Sequence, residues 1–156
     1  FVLDFGCGAG FFSKLFDKNM YLGIDINTSF INISKKKNKN YKYRILKNNY
    51  LYKYERKINL IFINNVLHHL TDKQIIQTFK YLNMKLKKKT KVFIIEPLFP
   101  KSFFSLEFIM KVMDIGNNIK NKKNYLKLLN KILKIERSFV KKVGIGSVLI
   151  IKGHLK

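Results

Sequence analysis

Five small residues in a row, Gly6-Cys-Gly-Ala-Gly10, follow the short apolar run Phe1-Val-Leu-Asp-Phe5. Glycine permits a turn tight enough for backbone to approach a ligand closely, and a helix starting beyond it aims its free N–H groups at the same place. Alone, the turn also reads as an ordinary strand-to-helix connection. A dinucleotide cradle, G-x-G-x-x-G, would put its third glycine at position 11, where Phe11 stands. Two acids flank the turn: Asp4 just before it, and Asp25, about twenty residues on, at the end of a second apolar run. A strand-end carboxylate at that spacing accepts hydrogen bonds from both hydroxyls of a ribose. Asp25 could instead cap the following helix, but Asn27, Thr28 and Ser29 can do so unaided, and ribose binding is the preferred reading. His68 and His69 are the only histidines near the same edge, and an imidazole can take a proton from a hydroxyl nucleophile. Adjacent residues cannot both point at one ligand; His69 is placed ahead of His68, the competing reading being one helix cap and one packed side chain. Glu96 ends a later apolar run on the same edge, a third catalytic candidate expected to line the acceptor pocket.

These residues need a frame. Apolar runs at 1–5, 21–26, 43–46, 58–63 and 92–95 read as strands buried on both faces. Between them, residues 10–18 carry Phe11, Phe12, Leu15 and Phe16 at helical spacing, expected to pack on the sheet; Phe30, Ile31 and Ile33 mark a short second helix. Thr71-Asp-Lys-Gln74 is a capping box for a third, with Ile75, Ile76, Phe79, Leu82 and Leu86 on one face. Strand alternating with helix, without a hairpin, is the mark of a parallel sheet wrapped on both sides, and ligands bind such sheets at the carboxyl edge. The chain closes with a helix through Tyr125, Leu126, Leu128, Leu129 and Ile132, then two strands at 135–142 and 147–152 joined through Gly144 and Gly146.

With Asp4 two residues ahead of the first glycine, Val-Leu-Asp-Phe-Gly-Cys-Gly-Ala-Gly resembles the first motif of class I S-adenosylmethionine-dependent methyltransferases, of the small-molecule kind. Val66-Leu-His-His-Leu70 is similar to that family's fourth motif, and the terminal antiparallel hairpin also suits it. The resemblance implies a doubly wound, Rossmann-like α/β fold with a seven-stranded sheet, helices on both faces, and S-adenosyl-L-methionine as cofactor. Carried over by position, Asp4 and the backbone of Gly6, Cys7, Gly8, Ala9 and Gly10 hold the methionine end, and Asp25 the ribose. Ile26 and Asn49 hold the adenine, Asn64 and Asn65 the amino group. The family often has Asp where Asn49 stands, and an Asn carbonyl accepts the same hydrogen bond from adenine. No proline follows Asn64, which argues against the amino-methylating enzymes of DNA and protein glutamine. Residues 1–156 read as a single methyltransferase domain, lacking the helix that usually precedes the first strand, with an acceptor-side insertion at 99–120 whose Phe and Met residues either suit an apolar or partly apolar small molecule or complete the core. No metal is called on. Methyl transfer from a sulfonium needs only an in-line nucleophile at roughly 3 to 3.5 Å and exclusion of water.

Composition narrows the partners. The net charge of +23 suggests nucleic acid, yet arginine occurs only at positions 44, 56 and 137. The lysine runs at 35–39 and 85–91 follow helices, far from the carboxyl edge, so nucleic acid is not the expected partner; lysines near 120–123 could draw in an anionic acceptor. An RNA methyltransferase and a non-catalytic descendant are the other readings. The single Cys7 excludes an internal disulfide. No apolar run is long enough to span a membrane, and the cytoplasm is the default location. The whole reading hangs on Asp25 facing the rim and on the loop's amides being open to a ligand.

Overall fold

The computed structural model describes residues 1–47, 51, 54–98, 118–144 and 146–156. Seven strands form one sheet: β1 (Val2–Phe5), β2 (Tyr21–Asp25), β3 (Tyr43–Ile45), β4 (Leu60–Asn64), β5 (Lys91–Pro97), β6 (Leu133–Val143) and β7 (Gly146–Leu155), in the order β3-β2-β1-β4-β5-β7-β6. The first five pair in parallel, and β7 enters antiparallel between β5 and β6. The strand order reverses between β1 and β4, which leaves a crevice beyond their carboxyl ends. The doubly wound sheet and its terminal hairpin are as the sequence predicts. The hairpin strands are longer than expected, because lysines and arginine alternate with apolar residues out to solvent.

Strand alternation sorts side chains between two layers. Leu3, Phe5, Ile61, Ile63, Val92, Ile94, Leu149 and Ile151 pack with Ile75, Phe79 and Leu82 of helix α2 (Asp72–Lys85) and with Tyr125, Leu128 and Leu129 of helix α3 (Lys122–Leu129). On the other face Tyr21, Tyr43 and Cys7 pack with Ile31 of helix α1 (Thr28–Lys37). Helix α1 is capped by Asn27, whose Oδ1 accepts from the Ser29 and Phe30 amides. Thr71 and Gln74 form the predicted capping box of α2. Thr71→Ala is expected to cost about 1 kcal/mol of folding stability, read from urea melts.

One expected element is absent. Residues 10–18 do not make an α-helix but two single 3₁₀ turns, Ser13–Leu15 and Lys18–Met20. The Ser13 hydroxyl donates to the Gly10 carbonyl at 2.8 Å, and the Asp17 carboxylate takes the Asn19 amide at 2.8 Å. Such local side-chain bonds offer the backbone an alternative to the helix ladder, and a run rich in Phe has little propensity to resist them. Phe11 and Leu15 consequently stand exposed, while Phe12 and Phe16 lie edge-on to Phe62 of β4. Among the described residues no helix is long and apolar enough to cross a membrane.

Candidate functional site

At the carboxyl ends of β1 and β4 lies a cleft of about 280 Å³ lined by Asp4, Gly6, Cys7, Gly8, Ala9, Phe11, Phe12, Phe30, Asn64 and Asn65. The loop takes its shape from left-handed backbone at Gly6, Gly8 and Gly10, with φ of 74°, 52° and 75°. Gly6 could not be replaced even where the space is concerned, since an added Cβ would stand 2.4 Å from a methyl of Val66. At Gly8 an added Cβ would meet nothing within 4 Å.

The loop's amides are mostly engaged, contrary to expectation. Gly6 and Cys7 both donate to the Ile24 carbonyl, at 2.8 and 3.0 Å, Gly10 donates to the Cys7 carbonyl at 2.9 Å, and Gly8 donates to Asp25 Oδ2 at 2.8 Å. Only the Ala9 amide of this loop lacks an acceptor among the described residues. The helix whose N-terminus was to face the ligand is the broken 3₁₀ segment. This loop therefore offers shape rather than a row of donors, and a pyrophosphate would find little to bind. Gly10 also departs from its predicted place. It backs onto α1, where an added Cβ would meet Tyr43, Asn38 and Ser34 within 3.0 Å, and it does not line the cleft.

The acids sit as predicted in the chain but differently in their surroundings. Asp25 ends β2 half-exposed, with Oδ2 on the Gly8 amide and Oδ1 on the Asn27 amide, both at 2.8 Å. Each oxygen keeps a lone-pair direction for a further donor. Ile26 beside it is 75% exposed, and neither residue is part of the cleft wall proper. Asp4 is 2% exposed and accepts from the Tyr21 hydroxyl at 2.5 Å. Burial raises its pKa to about 6; the Tyr21 bond pulls the other way and the Asp25 charge adds to the rise. Burial, then the charges of Asp4 and Asp25, push the Cys7 thiol up, so it stays protonated and is no nucleophile.

The two histidines and Glu96 lie outside the cleft wall. His69 is exposed on the 3₁₀ turn Leu67–His69, its ring centroid 4.0 Å from that of His68. His68 is buried, with Nδ1 2.9 Å from Glu96 Oε2. Glu96, expected to line the acceptor pocket, is 1% exposed and points instead into the turn after β4. Asn49, and residues 99–117 of the acceptor-side segment, lie outside the described residues.

A family model described as a methyltransferase domain matches residues 3–92, more than half of the chain and all of the cleft. The chain belongs to the methyltransferase-domain family. Solved structures agree in fold. A protein of Pyrococcus horikoshii shares 21% identity with a TM-score of 0.72, over 99% of this chain and 81% of that one. A SAM-dependent methyltransferase of Methanosarcina mazei shares 16% with a TM-score of 0.75, over 99% and 91%. Magnesium protoporphyrin IX methyltransferase of Synechocystis, solved with bound SAH, shares 15% with a TM-score of 0.70, over 99% and 74%. No curated protein matches the sequence.

Within this methyltransferase domain, the residues sequence reasoning missed are Tyr21, which holds Asp4; Phe11 and Phe12, which were read as packing on the sheet and line the cleft; and Phe30, which was read only as marking a helix and lines it too. Tyr21 had a signal. An acid inside a buried strand needs a donor, and a tyrosine opening the neighbouring parallel strand, opposite Val2, is within reach.

Proposed function

We propose that this methyltransferase domain binds S-adenosyl-L-methionine in the cleft at β1 and β4 and passes its methyl group to a small-molecule acceptor. The observation that carries the reading is the sign of the cleft. The chain has 32 lysines and arginines, yet none of those among the described residues lines it, and its polar side chains are Asp4, Asn64 and Asn65, with three phenylalanines around them. Such a wall favours a ligand that is cationic where it is buried. The bound cofactor would carry an ammonium and a sulfonium there, with the methyl group already activated for transfer.

The residues present fit that group. Asp4 would take the ammonium at the floor, helped by the side-chain carbonyls of Asn64 and Asn65. Glycine loop residues Gly6, Cys7, Gly8 and Ala9 would give close backbone contact, with the Ala9 amide the one donor to spare. Asp25 at the rim would accept from the ribose hydroxyls, Ile26 would present an apolar surface to the adenine, and Asn49 would accept from its amino group. Gly10 holds the loop against α1 rather than touching the ligand. The expected row of open amides is not met, so the reading rests on the cleft's lining and on Asp25, with the Ala9 amide left for the cofactor's carboxylate. Phe11, Phe12 and Phe30 would exclude water from the reacting centre. His69, the exposed imidazole beyond Asn65, would accept the proton of a hydroxyl acceptor; His68 is too deeply held to do so. The wording at residues 66–70 and the absence of an Asn-Pro-Pro-Tyr motif support a small acceptor over a base or amide nitrogen.

Calorimetric titration with S-adenosylhomocysteine tests the reading: one saturable site per chain is expected. Absence of heat and of any shift in melting temperature at millimolar ligand would defeat it.

A further inference from the structure

The Glu96 carboxylate is almost wholly buried, a costly place for a charge unless donors surround it. Four do. Oε1 accepts from the Val66 and Leu67 amides at 2.8 and 2.7 Å, and Oε2 from the His68 amide at 3.3 Å and from His68 Nδ1 at 2.9 Å. One residue earlier, the Ile95 carbonyl accepts the Asn65 amide at 2.9 Å, with Asn65 in left-handed backbone at φ 55°. The end of β5 thus grips four consecutive residues, 65 to 68. That turn is not remote from the cleft: Asn65 lines it, and Val66 packs so closely on Gly6 that a Cβ added there would stand 2.4 Å from one of its methyls. The charge of Glu96 also reaches α3, where burial and then this carboxylate raise the Tyr125 phenol.

We infer that Glu96 is a positioning residue for the methyl-donor cleft: by holding the amides of residues 66–68 it fixes Val66 against the glycine loop and Asn65 at the cleft wall, without touching a ligand. This rests on the reading of that cleft as the cofactor site. Glu96→Gln keeps the size of the side chain but replaces one acceptor oxygen with an NH2 group, so at least one backbone amide of residues 66–68 faces a donor, whichever tautomer His68 adopts. The turn must then shift.

The experiment compares the parent chain with Glu96→Gln, Val66→Ala and the double variant. Expected are cooperative urea melts, S-adenosylhomocysteine binding about tenfold weaker in each single variant, and a double variant no weaker than the worse single one. In ¹H–¹⁵N spectra of the ligand-free protein, the Gly6 amide resonance should move in Glu96→Gln. A folded Glu96→Gln with parental affinity and an unmoved Gly6 resonance overturns the inference, as do single effects that simply multiply in the double variant. Should Glu96→Gln fail to fold, Val66→Ala decides alone, parental affinity in it removing the coupling to the loop. If the parent chain binds no S-adenosylhomocysteine, the cofactor reading falls, while the Gly6 resonance still reports on the clamp.

Discussion

Asp25→Ala is expected to bind S-adenosylhomocysteine roughly a hundredfold more weakly than the parent chain. A hydrogen bond to a charged acceptor contributes about 1.5 to 3 kcal/mol, and two ribose hydroxyls meeting one carboxylate would together lose about 3 kcal/mol, or two factors of ten. The carboxylate has an internal duty too, since its oxygens hold the Gly8 and Asn27 amides at 2.8 Å. Truncation therefore loosens the glycine loop as well as removing the ribose partner. A ligand variant separates the two effects. The 2′-deoxy analogue of S-adenosylhomocysteine should bind the parent about tenfold more weakly than the ribo form, whereas Asp25→Ala should not distinguish them. Equal affinity of parent and variant for the ribo ligand would remove Asp25 from the site. Loss of affinity with the preference for ribose retained would make it a loop brace only.

Asp25 shows why the frame around the candidate site was legible without coordinates. It ends an apolar run at a distance from the glycine turn that a crossover between parallel strands imposes, and sheet pairing then leaves few places for it. Continuous apolar runs and the Thr71 capping box were equally direct, because each is a local pattern with a local cause. What stayed hidden was decided between residues distant in sequence or by competition within a segment. Apolar spacing at 11, 12, 15 and 16 fits a helix, yet the Ser13 hydroxyl and Asp17 carboxylate satisfy backbone groups first, and Phe11 and Phe12 turn to the cleft. Gly10 looks like its neighbours Gly6 and Gly8 until Tyr43 and Asn38 are seen behind it. Glu96 reads as a strand-end acid facing a pocket, and nothing within thirty residues of it says that the β4 turn arrives with four N–H groups to be held.

Asp4 is the residue whose two states pull stability and binding in opposite directions, and its titration should be visible in both. Its carboxyl, raised by burial to about 6 from an ordinary value near 3.8, means that the ligand-free fold prefers the protonated acid. Ligand-free stability should therefore increase as pH falls from about 6 towards 4, against the usual trend of acid denaturation. Asp4→Asn should melt higher than the parent at pH 7.5, since it removes a buried charge while keeping an acceptor for the Tyr21 hydroxyl. Binding runs the other way. An ammonium delivered to the floor of the cleft favours the carboxylate and lowers its pKa, so below about pH 6 the protein must give up a proton to bind. Affinity for S-adenosylhomocysteine should then fall by up to tenfold per pH unit between 6 and the pKa of the complex. Calorimetry near pH 6 in buffers of different ionisation enthalpy should show release of a fraction of a proton per ligand bound. In Asp4→Asn both signals vanish, and affinity at pH 7.5 should drop about a hundredfold with a flat pH profile from 5 to 8, because the ammonium has lost its counter-charge. A parent chain whose affinity is level across that range would mean that the ligand's positive end lies elsewhere. Such a result would also require the buried acid to be explained by the fold alone: a carboxyl that accepts from the Tyr21 hydroxyl, ties β1 to β2 and takes no part in the chemistry.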